Sequence, residues 1–416
     1  MVSVAAPRTR PAALDPWQVA LRPSRVLFGA GRLAELGPLV AELGGRRALV
    51  VTDAGLRAAG HVAAAVGSLR DAEVDAVVFD AVEENPTTAH VEAAAAAGRR
   101  HAIDFLVGLG GGSALDCAKG ANFLLTNGGR MEDYWGWNRA GRPMLPSVGV
   151  PSTAGTGSEA QSYALIARAE SHLKMACGDE KARFTAVILD PLLPRTAPRA
   201  VSAVAGFDAI SHAVESLVTR DASPFSRLFA REAWRLLERN YEAVVARACD
   251  DASWGEMLLG SHLAGAAIEA SMLGAAHACA NPLTARFGVA HGVAVALVLP
   301  AVVRLNAAVA APLYADLIGA SESVEDSSTA GGADGARSRR ESAGPGRRAI
   351  DPAEVLARRL EALRDAGGLP PRLSSVGVGA DALPALAADA CEQWTLRHNP
   401  RELGEADLLA LYRSVL

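Results

Sequence analysis

The stretch FLVGLGGGSALDCAK, residues 105–119, decides the fold of this chain. Its first part, Phe105–Gly108, is a short apolar run that predicts a buried parallel strand. The glycines that follow lead into a helix that begins near Ser113. Glycine lets the backbone approach a phosphate closely, and the first turn of a helix offers free N–H groups and a positive dipole end. The stretch therefore predicts a strand, a phosphate-binding turn and a helix.

Similar units occupy the first half of the chain. Short apolar or alternating runs predict strands at Arg25–Gly31, Arg47–Thr52, Asp75–Phe79, Phe105–Gly108 and Val187–Asp190, and helices are expected at Arg32–Glu42, Gly55–Val66 and Thr88–Arg99. Strands that alternate with helices indicate a doubly wound parallel sheet. We therefore predict an α/β, Rossmann-like dinucleotide-binding domain at residues 1–197, with a loose arm at residues 1–20.

Ligands of such sheets bind outside the carboxyl ends of the strands. We expect Asp53, Asn85, Gly111 and Gly112 to lie there as candidate dinucleotide-binding residues, with Ser113 at the start of the following helix. The Asp53 carboxylate can accept hydrogen bonds from an adenosine ribose and would repel a 2′-phosphate, which favours NAD over NADP. The same side chain could also serve as a helix N-cap.

From Pro198 onward the pattern becomes helical. Helical spacing appears near Val201 and at Ser226–Val245, Trp254–Ala270, Ala275–Thr284, Val293–Ala308 and Ala353–Ala366. We predict an all-helical, metal-binding domain at residues 198–416. Residues 320–348 are rich in Ser, Gly, Ala and charge, so they are expected to form a flexible insertion.

This second half contains a candidate metal site. Asp208 and His212 are four residues apart and share one face of a predicted helix. His277 and His291 follow in an Ala-rich setting, where an imidazole needs a partner. One carboxylate and three imidazoles suit Fe²⁺ or Zn²⁺ and do not suit Ca²⁺ or Mg²⁺.

The spacing around these residues forms two motifs: Asp190, Pro198, Asp208, His212 and Glu215, then Gly274, His277, Pro282, Leu283, His291 and Gly292. Both motifs, and the string Gly-Gly-Gly-Ser-x2-Asp-x2-Lys, resemble the iron-containing (group III) alcohol dehydrogenase family of the dehydroquinate synthase-like superfamily. The resemblance covers about residues 22–416 apart from the insertion.

The resemblance implies that Asp208, His212, His277 and His291 bind the metal and act in catalysis through it. It also implies that Asp116 belongs to the phosphate loop, that Ser152, Thr153 and Thr156 belong to the cofactor cleft, and that Lys174 contacts the nicotinamide side of the cofactor. The expected cofactors are NAD(H) and one divalent metal, with Fe²⁺ favoured and Zn²⁺ as the alternative. The expected reaction transfers a hydride between NAD(H) and an alcohol, aldehyde or ketone bound in the cleft between the domains.

The chain departs from the family pattern at four positions. Ala205 stands where the family usually has Gly, Ser or Thr. Asn281 stands where most members have a second histidine, Thr284 replaces a glycine and Ala290 replaces a proline. Asparagine cannot titrate near neutral pH, so the proton path and the substrate class are open. His262, on a neighbouring predicted helix, is a candidate replacement. Residues that could line a substrate pocket are Trp135, Trp137, Ile268 and Thr395.

Several alternatives fit the same motifs. The chain could be a maleylacetate reductase-like or glycerol dehydrogenase-like enzyme, a dehydroquinate synthase relative, or a non-catalytic NAD-binding protein marked by Asn281. We expect a small-molecule alcohol or aldehyde as the substrate, and, from the resemblance, a homodimer or larger homo-oligomer.

The composition limits the other partners. The 41 basic and 46 acidic side chains give a net charge of −5, without a basic patch, which argues against nucleic acid. We see no stretch near the roughly 20 apolar residues that span a bilayer, so we expect no membrane partner. Five scattered cysteines fit reduced thiols and a cytoplasmic location.

Overall fold

The computed structural model describes residues 24–171, 173–328 and 351–416, with the side chains of residues 320–328 left out. The predicted loose arm at residues 1–20 lies outside the described residues. So does most of the predicted insertion at 320–348, although its first residues, up to Ser328, continue a helix.

A six-stranded parallel sheet forms the core of the first half, in the order β1-β9-β6-β4-β2-β3. Its strands are β1 (Arg25–Phe28), β2 (Arg47–Val51), β3 (Asp75–Phe79), β4 (Phe105–Gly110), β6 (Ser147–Pro151) and β9 (Ala186–Leu189). A smaller three-stranded sheet contains β5 (Gly136–Trp137), β7 (Tyr163–Ala167) and β8 (Lys174–Gly178). Strand β8 pairs parallel with β5 and antiparallel with β7.

Helices cover both faces of the large sheet. They are α1 (Leu36–Glu42), α2 (Ala54–Ala58), α3 (His61–Asp71), α4 (Thr88–Arg100) and α5 (Gly112–Asn127). Successive side chains of a strand point to opposite faces, so Leu49 and Val51 belong to one apolar cluster while Ala48 and Val50 belong to the other. This two-sided burial explains why the central strands are continuous apolar runs, and the predicted α/β class is confirmed.

The sequence prediction was wrong at two places in this half. The single helix expected at Gly55–Val66 is two helices, α2 and α3, because the chain turns at Gly60 with φ +86°. That left-handed conformation suits glycine and interrupts a helix. Strand β6 and the small sheet were not predicted.

The second half is helical throughout its described residues. Its helices are α6 (Arg199–Val218), α7 (Pro224–Val245), α8 (Asp251–Ser271), α9 (Ala275–Phe287), α10 (His291–Ser328), α11 (Pro352–Ala366), α12 (Leu383–Cys391) and α13 (Glu405–Ser414). The predicted all-helical character is therefore confirmed for this part of the chain. The boundary between residues 197 and 198 stays a prediction.

Two helices correct the expectation that no apolar stretch approaches the length that spans a bilayer. Arg199–Val218 and His291–Gly319 are long and apolar enough to cross a membrane by length and composition alone. The most apolar windows of these helices are 83% and 61% buried inside the fold. Much of their apolar surface therefore packs against protein, and the absence of a membrane partner stays a prediction.

Candidate active site

A cavity of about 490 Å³ lies between the sheet and the helical half. The glycine turn after β4 contributes Gly111, Gly112 and Ser113 to its wall. Helices α6, α9 and α10 contribute the four predicted metal ligands Asp208, His212, His277 and His291. The fold therefore brings the predicted phosphate-binding turn and the predicted metal ligands into one cavity.

The carboxylate of Asp208 is the centre of the ligand cluster. Its Oδ1 atom lies 3.5 Å from Nε2 of His212, 3.8 Å from Nε2 of His277 and 3.9 Å from Nε2 of His291. Ligand atoms of Asp208, His277 and His291 all lie within 4.8 Å of one another. His212 lies outside that mutually close set, but its ring stacks on His277 with centroids 5.0 Å apart.

These donors fit a divalent ion with nitrogen and oxygen ligands. Bonds of about 2.0–2.2 Å from a metal to such ligands place ligand atoms at near-tetrahedral angles about 3.3–3.6 Å apart, close to the separations around Asp208. Four buried atoms in the cluster have no hydrogen-bond partner among the described residues: Asp208 Oδ1, His212 Nδ1, His277 Nε2 and His291 Nδ1. Unpartnered buried polar atoms are costly, and an ion bound by the cluster would satisfy Asp208 Oδ1 and His277 Nε2.

Glu215 orients one of the imidazoles. It lies three residues after His212 on α6, and its Oε2 atom is 2.5 Å from Nδ1 of His277. Its other oxygen accepts a hydrogen bond from the backbone N–H of Ala276 at 2.7 Å. A proton held on Nδ1 leaves Nε2 free to face Asp208, which is the arrangement that outer carboxylates give metal-bound histidines. The sequence motif contains Glu215, but we assigned it no role; its i+3 spacing from His212 could have revealed one.

Burial and the neighbouring charges set the pKa values of the cluster. Burial lowers the pKa of His212 to about 4 and that of His291 to about 3, in spite of the Asp208 carboxylate. Burial opposes the charged form of His277 too, but the nearby carboxylates of Asp208 and Glu215 raise its pKa to about 9. Burial also disfavours the charged form of Asp208, yet the nearby imidazoles hold its pKa below the usual range.

The glycine turn is shaped for close approach. A Cβ atom on Gly110 would lie 2.6 Å from the Cβ of Ala114, and one on Gly112 would lie 2.6 Å from the Thr156 side chain. Gly111 precedes helix α5 and provides no side-chain cap. Gly112 and Ser113, the first two residues of this 16-residue helix, line the cavity, so its N-terminus is a candidate anion-binding position.

Asp116 and the buried Lys119, both on α5, connect the helix after this turn to Ser158 and Tyr163 through hydrogen bonds. Lys119 Nζ donates to the carbonyl oxygens of Ser158 and Tyr163, both at 2.7 Å, and to Ser158 Oγ at 2.8 Å. Ser158 Oγ donates to Asp116 Oδ1 at 2.6 Å. Asp116 lines the cavity, as predicted, but its carboxylate is also part of this support.

Asp53 lies in a second cavity, of about 630 Å³, at the carboxyl ends of the strands. Its Oδ1 atom caps helix α2 by accepting from Leu56 N at 2.9 Å. Its Oδ2 atom lies on the side of Gly110, 3.2 Å from the position of an added Cβ. The N-cap role is therefore present, and one oxygen remains directed toward the turn. The two cavities share Glu84, Gly111, Ser113, Thr153 and Val201 as wall residues.

The remaining predicted dinucleotide residues divide between the two cavities. Ser152 lines the second cavity, Thr153 lines both, and Asn85, Thr156 and Lys174 line the first. Burial lowers the pKa of the Lys174 ammonium, while Asp116, Asp208 and Glu84 act in the opposite direction.

Other candidates lie outside the first cavity. Asn281 is not among its wall residues; its amide donates to Gln393 Oε1 at 3.0 Å. His262, the candidate replacement, pairs with the buried Glu159 at 3.2 Å. Of the four candidate pocket residues only Ile268 lines the cavity, which Tyr163 and Leu273 also line although the sequence did not single them out.

The chain matches one known family along almost its whole length. Residues 23–191 match the iron-containing alcohol dehydrogenase family, and residues 202–416 match the C-terminal part of the Fe-containing alcohol dehydrogenase family. The 1,3-propanediol dehydrogenase of Klebsiella pneumoniae is 33% identical over 395 residues, which cover 94% of this chain and 97% of that protein.

Two further relatives agree with this assignment. The NAD-dependent methanol dehydrogenase of Bacillus methanolicus is 30% identical over 397 residues, covering 95% of this chain and 98% of that protein. A crystal structure of 1,3-propanediol oxidoreductase has a TM-score of 0.86 and 32% identity, covering 95% of this chain and 98% of that chain. The resemblance inferred from the sequence motifs is confirmed: the chain belongs to the iron-containing alcohol dehydrogenase family.

Proposed function

We propose that this protein is a metal-dependent oxidoreductase that transfers a hydride between NAD(H) and an alcohol or aldehyde in the cavity between its two halves. The observation that carries the proposal is the position of the cluster around Asp208, whose Oδ1 atom has three imidazole nitrogens within 3.9 Å, in the cavity that the glycine turn also lines. Relatives named as propanediol and NAD-dependent methanol dehydrogenases support the same reaction class.

The ligand cluster would hold one divalent ion, with Fe²⁺ preferred on the family assignment and Zn²⁺ as the alternative. Such an ion acts as a Lewis acid toward a substrate oxygen. Asp208 supplies the one carboxylate among these four residues, and each imidazole would bind the ion in its neutral form. The low pKa values of His212 and His291 keep those two rings unprotonated near neutral pH. The pKa of His277 is raised to about 9, so this ring would release a proton when the ion binds.

The dinucleotide would span both cavities. Helix α5 offers its N-terminus to the pyrophosphate, and Asp53 accepts from the adenosine ribose on the other side. NAD accepts or donates the hydride at its nicotinamide ring. Lys174 lines the wall nearest the metal ligands and is proposed to hold the nicotinamide side in place. Asp53 makes NAD the preferred dinucleotide over NADP.

The proton path differs from that of relatives with histidine at position 281. Asn281 cannot titrate, and its amide is already bonded to Gln393. His262 is paired with Glu159 rather than free in the cavity. We propose that the alcohol proton leaves through water and the hydroxyl groups of the dinucleotide ribose.

Elemental analysis of the purified protein, combined with an NADH-oxidation assay on a panel of aldehydes, tests this function. About one equivalent of Fe or Zn per chain is expected, with turnover lost on chelation and recovered when the metal is returned. If the protein binds NADH and Zn²⁺ or Fe²⁺ but fails to oxidise NADH with any aldehyde of the panel, the proposal is contradicted. That result would favour the non-catalytic NAD-binding alternative.

A further inference from the structure

Three aromatic rings form a continuous row beside the cavity, and we call Trp137, Tyr163 and Trp394 the aromatic row. The ring of Tyr163 lies 5.2 Å from that of Trp137 and 6.2 Å from that of Trp394, measured between centroids. The planes of Tyr163 and Trp394 differ by 25°, so these two rings are stacked. Tyr163 also lines the cavity that holds the metal ligands.

The aromatic row leads from this cavity to the protein surface. Trp137 is 47% exposed and Trp394 is 37% exposed, whereas Tyr163 between them is half-buried. Large aromatic side chains are normally well buried, and adjacent exposed ones at the edge of a cavity mark a binding surface. Such rings offer a rigid apolar face at a small cost in conformational entropy.

The row is held from both halves of the protein. Trp137 belongs to β5 and Tyr163 to β7 of the small sheet, while Trp394 begins a short helical turn in the second half. Lys119 fixes the Tyr163 backbone through a 2.7 Å hydrogen bond. Asn281 fixes the residue before Trp394 through its 3.0 Å hydrogen bond to Gln393. The residue that departs from the family pattern therefore helps to position the outer ring.

The cavity wall beside Tyr163 is largely apolar. Leu165, Ile268 and Leu273 line it, and these side chains offer no hydrogen bond to a second hydroxyl group of a substrate. Neighbouring polar wall groups already have protein partners: Ser158 donates to Asp116, and Gln161 donates to the Thr156 carbonyl oxygen. A buried hydroxyl without a partner is costly, so this wall favours an apolar substituent.

We propose that the aromatic row binds the apolar part of the substrate, so that the preferred substrates are alcohols and aldehydes with an aromatic ring or an apolar chain of several carbons. Short diols and one-carbon alcohols would leave the row uncovered. This inference rests on the proposed oxidoreductase function and names its substrate class. The reactive oxygen would lie at the metal ligands while the substituent extends past Tyr163 onto the aromatic row.

The test compares kcat/KM for benzaldehyde and for acetaldehyde in NADH-dependent reduction by the metal-loaded protein. The wild type is expected to prefer benzaldehyde, and Trp394→Ala and Trp137→Ala are each expected to lower the benzaldehyde-to-acetaldehyde ratio by about tenfold, because each removes one aromatic face. Trp394→Phe retains a ring and should keep most of the preference. Both tryptophans are exposed, so the variants should fold.

Trp135→Ala is the matched control. Trp135 is as exposed as the two outer rings, but it packs under Arg168 rather than in the aromatic row, so its loss should leave the ratio unchanged. Ratios that stay within twofold of the wild type in both row variants would overturn this inference alone. A wild-type preference for 3-hydroxypropanal or an anionic aldehyde over benzaldehyde would also overturn it. Absence of turnover with every aldehyde would instead contradict the proposed function.

Discussion

The Oε2 atom of Glu215 lies 2.5 Å from Nδ1 of His277, and both side chains are buried. Through this contact a residue that need not touch the metal controls the direction of a ligand ring. The second Glu215 oxygen is bonded to the backbone at Ala276, so the carboxylate cannot rotate without losing a hydrogen bond. His277 is therefore set toward Asp208 before any ion binds.

Replacing Glu215 by glutamine should weaken metal binding. Glu215→Gln keeps the size of the side chain but exchanges a charged acceptor for a neutral one, and charged acceptors make the stronger hydrogen bonds. Loss of such outer partners typically reduces metal affinity by about 10–100-fold. Competition with a chromophoric chelator gives the Zn²⁺ dissociation constant. Glu232→Gln, at a partly exposed pair with Arg235 away from the cluster, is the control. Equal dissociation constants for the wild type and Glu215→Gln would contradict the role of Glu215.

Metal should stabilise the folded protein through Asp208. An ion present at 100 times its dissociation constant adds about 2.7 kcal/mol to the free energy of unfolding, so Tm should rise when Zn²⁺ is added to the chelated wild type. Asp208→Asn removes the only carboxylate of the cluster and should abolish that rise. Differential scanning calorimetry with and without Zn²⁺ measures it. Asp316→Asn, at an exposed pair with Arg231, should keep the full rise; a rise that persists in Asp208→Asn would place the ion elsewhere.

The dinucleotide preference should depend on the charge of Asp53. Asp53→Ser retains a side-chain oxygen that can cap helix α2 and removes the negative charge from the second cavity. Because like charges placed together cost several kcal/mol, the NADP-to-NAD ratio of kcat/KM should rise by about 10–100-fold. Steady-state kinetics with both dinucleotides gives the ratio. Asp80→Asn changes the same charge at a residue paired with Arg57 outside the cavity, and it should leave the ratio as it is.

Stability should depend on a glycine contact between the two halves. A Cβ atom on Gly265 of α8 would lie 2.4 Å from the carbonyl oxygen of Gly157, a backbone atom that cannot rotate away. Gly265→Ala should therefore lower the free energy of unfolding by about 1–3 kcal/mol. Gly67→Ala in α3 meets open space, and its better helix propensity should raise stability by about 0.5–1 kcal/mol. Thermal unfolding distinguishes the two, and equal effects would contradict the packing argument.

Acid stability should depend in part on Glu354. Hydrogen bonds from Arg304 and then Arg358 lower the pKa of this carboxyl to about 2 in the folded protein. The pKa of this carboxyl in the unfolded chain is about 4.3. Because its pKa is lower in the folded protein, the ionised carboxylate stabilises the fold at pH values above about 4.3. This stabilisation is lost as the pH falls toward 2. Glu354→Gln should thus lower Tm by about 1–2 °C at pH 7 and leave it equal to the wild type near pH 2. High salt should shrink the difference at pH 7, and a difference that grows in acid would refute the assignment.

Local patterns predicted the parts of the fold whose sequence carries its own signal. The glycine turn after β4 was predictable because an apolar strand, a glycine run and a helix follow one another in 15 residues, 105–119. The four candidate metal ligands were identified from motif spacing, and one cavity contains all four side chains. That they bind a metal stays a prediction. Helix α6 carries two of them at i, i+4, which fixes their common face.

Contacts between distant residues were not predictable in this way. Strand β5 has only two residues, Gly136–Trp137, too few to show any periodicity. The break between α2 and α3 depends on the left-handed conformation of Gly60. A single glycine inside a helical pattern does not predict that conformation. The stacking of Tyr163 on Trp394 joins the small sheet to the last helical region. Such contacts join residues that are far apart in the sequence, so local sequence patterns do not predict them.

Helix α6 touches both ends of the proposed reaction. Val201, in its first turn, belongs to the wall shared by the two cavities, and Asp208, seven residues later, is the centre of the ligand cluster. Seven residues of α-helix span about 10.5 Å, a length fixed by covalent geometry and backbone hydrogen bonds. The helix therefore fixes the distance between the wall at Val201 and the cluster at Asp208. A movement of one half against the other would change access to the cavity but leave that spacing intact.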